Sequence, residues 1–212
     1  MNNSNFKKIL SLYNSFFKRY SFSKYSRLFF NCTNNIVKLV SFDCPSSIIY
    51  CTYCIMPLYI PSEFIYYSYG RQMKNRINIQ GKDTSDAEIA TWIEMVEDEI
   101  VENAFMFFGE FDSPEKILKF PTVRLKEHMC CPLDQISLLR AYSFLYCGDF
   151  KNAMTAIAES QNLLMSNSTY TQRVRSNKLN ELQMLARLVS SGEDTAKAFF
   201  QQVIETTSKL FN

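Results

Sequence analysis

Apolar residues recur every three to four positions along most of the chain, with polar residues between them. From Asp134 to Leu164 the repeat runs through Ile136, Leu139, Tyr142 and Leu145. After a break at Gly148-Asp149 it resumes at Phe150, Ala153, Met154, Ile157 and Leu164. A period near 3.6, broken where glycine can take a left-handed conformation, predicts an antiparallel pair of amphipathic helices. Beyond the polar link Ser166 to Thr169 a second pair is predicted. Its first helix carries Val174, Leu179, Leu182, Leu185 and Val189, and Ser191-Gly192 breaks it. Ala196, Phe199, Phe200, Val203, Ile204 and Leu210 line the next. Two hairpins in succession are the pattern of helical repeats, in which each pair buries one face on its neighbour. Gly148-Asp-Phe-Lys-Asn-Ala153 has the turn and small residue of a tetratricopeptide unit, but the second hairpin lacks a matching alanine register.

Upstream, Ser85 and Glu88 have the spacing of a capping box, in which side chain and backbone of both residues exchange hydrogen bonds. They predict a helix with Ile89, Ile93, Val96, Ile100 and Phe107 on one stripe, ending at Gly109. Ser113-Pro114-Glu115 opens a short helix by cap and by proline at its first position, and Pro121 closes it. Pro132 opens the first helix of the central hairpin. Residues 5–20 also fit a helix, through Phe6, Ile9, Leu10, Tyr13, Phe16 and Phe17. Residues 25–42 are read as a second basic helix with Leu28, Phe29, Ile36, Leu39 and Val40 apolar. Residues 43–70, punctuated by Pro45, Pro57, Pro61 and Gly70, are read as short buried helices. Their Ile, Tyr and Cys content suits a strand equally well. Residues 71–84 read as a polar loop turning at Gly81-Lys82-Asp83. The expectation is an all-α fold: helical hairpins packed as a short tetratricopeptide-like bundle. Its basic, aromatic-rich part, 1–82, and its helical-hairpin part, 83–212, form one continuous domain.

Composition supports a globular chain, with 47% hydrophobic and 21% charged residues. Eighteen Phe and 12 Tyr allow a large core. Five Gly and 6 Pro favour long helices over many short strands. Charge is unevenly spread. Residues 1–82 hold 11 Lys and Arg against Asp43 and Glu63, whereas residues 83–115 hold 11 acids and no Lys or Arg. Such blocks meet each other inside a fold or face partners of opposite sign. For residues 1–42 three readings stand: a solvated basic face on core helices, an amphipathic membrane-surface segment, or a Lys-rich mitochondrial presequence. No signal peptide is visible. The longest apolar run, Ile48 to Met56, stops at Pro57, where a membrane span needs about 20 residues. Seven cysteines without a regular framework indicate a reducing compartment. The expected location is cytoplasmic, with only indirect or peripheral contact with membranes.

Chemistry-bearing residues are few. His128 is the only histidine, and with Cys130 and Cys131 it invites comparison with a zinc site completed by Cys51 and Cys54. Zinc needs thiolates and imidazole converging from paired, closely spaced motifs, and only one such pair exists here. Buried structural cysteines are the favoured reading, and no metal is expected. No glycine-flanked nucleophile, oxyanion loop or phosphate-cradling loop is present, so no catalytic residue and no cofactor are assigned. Nucleic-acid binding is not expected, because the basic residues accompany an apolar stripe and no recognition motif is readable. The interaction candidate is the acidic helix, with Glu94, Glu97, Asp98, Glu99 and Glu102. It is either a solvated face or a docking surface for basic groups, in cis or in trans.

Three stretches carry a family resemblance. They are Arg27-Leu-Phe-Phe30 with the helix read after it, Glu94 to Ala104, and Gln135 to Ala153 with the hairpin from Lys178. In order and spacing, over about residues 20–210, they resemble the C-terminal regulatory domain of sterol regulatory element-binding proteins. The resemblance implies a helical-repeat domain at the cytosolic face of the endoplasmic reticulum. There it would bind the WD40 propeller of the escort protein SCAP and regulate lipid homeostasis. The family's basic helix-loop-helix zipper and membrane helices are absent from this sequence, so DNA binding and membrane spanning do not carry over.

Overall fold

The structure, a computed structural model, describes residues 4–79 and 85–211. Helix α1 (Ser4–Arg19) is followed by five strands: β1 (Ser23–Tyr25), β2 (Leu28–Thr33), β3 (Ile36–Asp43), β4 (Ile48–Pro57) and β5 (Tyr69–Asn78). They form one antiparallel sheet in chain order. The fold is therefore mixed, and the all-α expectation is corrected.

The cause lies in residues 25–42. Leu28-Phe29, Ile36-Val37 and Leu39-Val40 are adjacent apolar pairs. Such pairs fit a helical period, and they equally fit strands buried on both faces. The turns decide between the two. Asn34 and Asn35 have φ of 51° and 60°, and Thr33 pairs directly with Ile36. Two consecutive positive φ values make the tight turn whose twist matches a hairpin, and asparagine tolerates them better than most residues. The strand alternative for residues 43–70 holds at β4, and no helix starts at Pro61. Most of the expected 71–84 loop is β5, while Gly81-Lys82-Asp83 lies outside the described residues.

Both sheet faces are covered. Phe29, Val40, Phe42, Ile49, Tyr53 and Ile77 face α1 and the helix after β5. Leu28, Val37, Leu39, Cys54 and Met56 face the other way, under Ile65, Tyr66, Ile204, Leu210 and Phe211. Helix α1 reverses into β1 through its C-terminal cap. The Phe22 N–H donates to Phe17 O, the Ser21 N–H donates to Lys18 O, and Ser21 takes φ 61°.

The remaining chain is helical. The segments are α2 (Asp86–Glu99), a π-helical stretch (Ile100–Phe105), α3 (Met106–Glu110), α4 (Pro114–Leu118), α5 (Thr122–His128), α6 (Leu133–Tyr146), α7 (Phe150–Ser166), α8 (Gln172–Ser191), α9 (Glu193–Ser208) and a 3₁₀ turn (Lys209–Phe211). The Ser85–Glu88 capping box and the Ser113 cap form as read. Gly148 and Gly192 take φ of 79° and 91°, which separates α6 from α7 and α8 from α9. Helix α6 is the centre of this half. Ile136, Leu139, Ala141, Tyr142 and Leu145 are all buried, so it is apolar on nearly every side. One apolar cluster runs from Ile9 in α1 to Phe200 in α9, which joins sheet and helices through a shared core.

Candidate binding groove

The acidic helix is only partly a free surface. Glu99 is buried at 9% exposure. Its Oε1 accepts the Lys74 N–H at 2.8 Å and its Oε2 the Asn75 N–H at 2.9 Å. The register of β4 against β5 shifts between Tyr50 and Thr52, so β5 bulges here and frees these two donors. Two successive N–H groups form a small anion-binding concavity, and Glu99 fills it from within the chain. Glu97 is half-buried, and its carboxyl is raised by burial, with Arg19 of α1 pulling the other way. Lys8 and Glu94 line the same crevice between α1 and α2. Part of the acidic block thus meets the basic block inside the molecule. Glu94, Asp98 and Glu102 remain exposed.

The cysteine and histidine set does not converge. Cys51 belongs to the apolar cluster on one sheet face and Cys54 to the cluster on the other. Residues separated by an odd number along a strand point to opposite faces, so the C-x-x-C spacing cannot present two thiols together. Cys131 is buried and its thiol is pushed up to about 12, first by burial. His128 Nδ1 lies 3.8 Å from Glu110 Oε2, with the Phe111 and Phe120 rings beside the imidazole. Among the described residues, no group of three or more His, Cys, Asp or Glu is placed to hold a metal ion.

A recess with an apolar lining lies in the helical half. It opens between the α6–α7 turn and α9 and has a volume of about 470 Å³. Leu145, Tyr146, Phe150, Ala196, Phe200 and Ile204 form its floor. Several packing contacts hold this floor in place. The Tyr146 ring stacks on Tyr59 at 4.6 Å and meets the edge of Phe200 at 5.5 Å. Tyr59 follows β4, is fully buried, and shares a 2.8 Å hydrogen bond with the Ser143 hydroxyl. The Asn35 amide donates to the Tyr146 hydroxyl at 2.9 Å. The β2–β3 turn and the β4–β5 connection thus brace the groove from below.

Its rim is polar and mostly acidic: Glu115 from α4, Glu193, Lys197 and Glu205 from α9. Lys197 is tied to Glu193 at 2.6 Å. Cys147 stands at one end, with its sulfur 3.9 Å from Glu115 Oε1. Partial burial of the sulfur, reinforced by the Glu115 carboxylate, pushes this thiol up to about 11. The thiol is therefore protonated and slow to react at neutral pH. None of these residues stood out in the sequence as a site. Each lies on an ordinary helical stripe, and only the packing of α9 against the end of α6 brings them together.

No protein-family model, curated protein or solved structure matches this chain. Among the described residues, no helix is long and apolar enough to cross a membrane.

Proposed function

We propose that this chain is a non-catalytic protein-interaction domain that receives a segment of a partner protein in the groove between the α6–α7 turn and α9. The observation that carries this reading is the groove itself. Phe150, Ile204 and Tyr146 give it a partly exposed aromatic and aliphatic floor, with the buried Phe200 packed against Tyr146 and the sheet bracing it. Recesses of this size with an apolar floor and a few polar rim groups are the usual form of a binding site. The sheet occupies the place where the sterol-regulator resemblance implied helices. The escort-protein partner implied with that architecture is therefore not carried forward.

A crosslinking experiment tests the groove. Cys32 and Cys130, the other exposed cysteines, are changed to Ser. A photo-crosslinking amino acid then replaces Gln201 on the groove wall, or Arg187 on α8 as a control. Protein adducts from position 201, absent from position 187 and lost once Cys147 carries a bulky maleimide, support the reading. Adducts that persist after Cys147 is blocked, or their absence from position 201, refute it.

A further inference from the structure

Resting on the groove reading, we infer that the occupant is a short amphipathic helix carrying Lys or Arg beside its apolar anchor residues.

The rim charge is the first argument. Three carboxylates, Glu115, Glu193 and Glu205, face one ammonium, Lys197, which Glu193 already engages. Glu115 and Glu205 are exposed and flank the floor from different helices. An apolar floor beneath an uncompensated acidic rim favours a ligand that brings both apolar groups and positive charge. An acidic segment would meet like charge at both edges.

Geometry supplies the second argument. Glu193 and Glu205 stand about 18 Å apart along α9, at about 1.5 Å of rise per residue. A helix of about 12 residues spans the same length, so cations near its two ends can reach both rims at once. Anchors spaced three, four and seven residues apart would lie along the floor, which is how a helix enters an apolar groove. The half-buried rings of Phe150 and Tyr146 and the Ile204 side chain provide the apolar contacts that such anchors use.

A long repeat stack would require apolar residues on the outer face of α9. Lys197, Gln201 and Glu205 stand there instead, spaced four residues apart and exposed. The groove thus closes the array of hairpins with a polar-rimmed site rather than with another hairpin.

The test uses the full chain and two labelled model peptides of about 14 residues. Both have Leu and Phe anchors; one carries Lys on its polar face and the other Glu at the same positions. The proposal expects the Lys peptide to bind at least about tenfold more tightly, and to weaken as salt rises from about 50 to 300 mM. The double reversal Glu115→Lys/Glu205→Lys should weaken the Lys peptide about tenfold and leave the melting temperature unchanged. Both sites are exposed, and neither enters the core. Protection of Cys147 from maleimide is read in parallel. Equal binding and equal protection by both peptides overturn the basic-helix inference but keep the groove reading. Lys-peptide binding without protection of Cys147, or protection by neither peptide, overturns both.

Discussion

The ring of Tyr59 lies flat on the ring of Tyr146, with centroids 4.6 Å apart and planes 11° from parallel. One residue follows the fourth strand and the other ends the central helix. Their contact joins the sheet to the hairpins. Tyr146→Ala removes the stack and the Asn35 hydrogen bond together, and should lower stability by about 2–3 kcal/mol. Tyr146→Phe keeps the stack and loses the hydrogen bond alone, for about 1 kcal/mol. Urea unfolding midpoints will show whether the two variants rank in this order.

Glu99 closes the edge of β5 by accepting two backbone donors. In Glu99→Gln an amide NH₂ must face one of those N–H groups, which leaves a donor unpaired at about 1–3 kcal/mol. Hydrogen exchange should report this locally: the Lys74 and Asn75 amides lose protection while those of β3 keep theirs. Uniform loss across the sheet would show that the clamp has no local role.

Gly70 pairs with Cys54 in the β4–β5 ladder. A Cβ there would lie within 2.0 Å of Tyr53 O and 2.3 Å of Cys54 Cβ. Gly70→Ala should therefore cost about 3 kcal/mol, at the upper end for overpacking. Gly109 in α3 has nothing within 4 Å of such a Cβ, so Gly109→Ala should be neutral or stabilising by up to about 1 kcal/mol. Thermal melts of the two variants should move in opposite directions or differ by many degrees.

Glu181 on α8 accepts a hydrogen bond from the Tyr142 hydroxyl at 2.8 Å. Its carboxyl is raised above the ordinary value by burial, against the pull of Tyr142 and Lys178. The folded chain holds this proton more tightly than the unfolded chain does. Stability therefore falls as pH rises from the unfolded value, about 4.3, toward the raised folded one. Glu181→Gln keeps an acceptor for Tyr142 and never ionises. Its melting temperature should exceed that of the wild type at pH 7, and the gap should shrink as pH falls toward about 4.3 and change no further below it. A gap that is constant across this range would exclude the burial effect.

The helical half was legible because its signals are local. Ser85 with Glu88, Ser113 with Pro114, and Gly148 with Asp149 each act within one turn of chain. The sheet was hidden because its third strand is buried on both faces and so shows no alternation. Asn34-Asn35 between two apolar stretches was the available sign, since a two-residue turn with positive φ is the strongest short-range mark of a hairpin. The acidic helix was legible as a charged stripe, but the burial of the Glu99 carboxylate was not, because it answers a bulge in a strand that the sequence read as loop. Glu99 and its exposed neighbour Asp98 look alike in one dimension.

Phe211 packs its ring on Phe30, with centroids 5.2 Å apart, and Leu210 and Ile204 lie on the same sheet face. The second face of a sheet made early in synthesis is thus roofed by residues from the far end of the helical half. Until they emerge from the ribosome, Leu28, Val37, Leu39 and Met56 present an apolar plane that Ile65 and Tyr66 cover only in part. Chaperone engagement of the nascent chain should persist until α9 and the turn after it have left the exit tunnel.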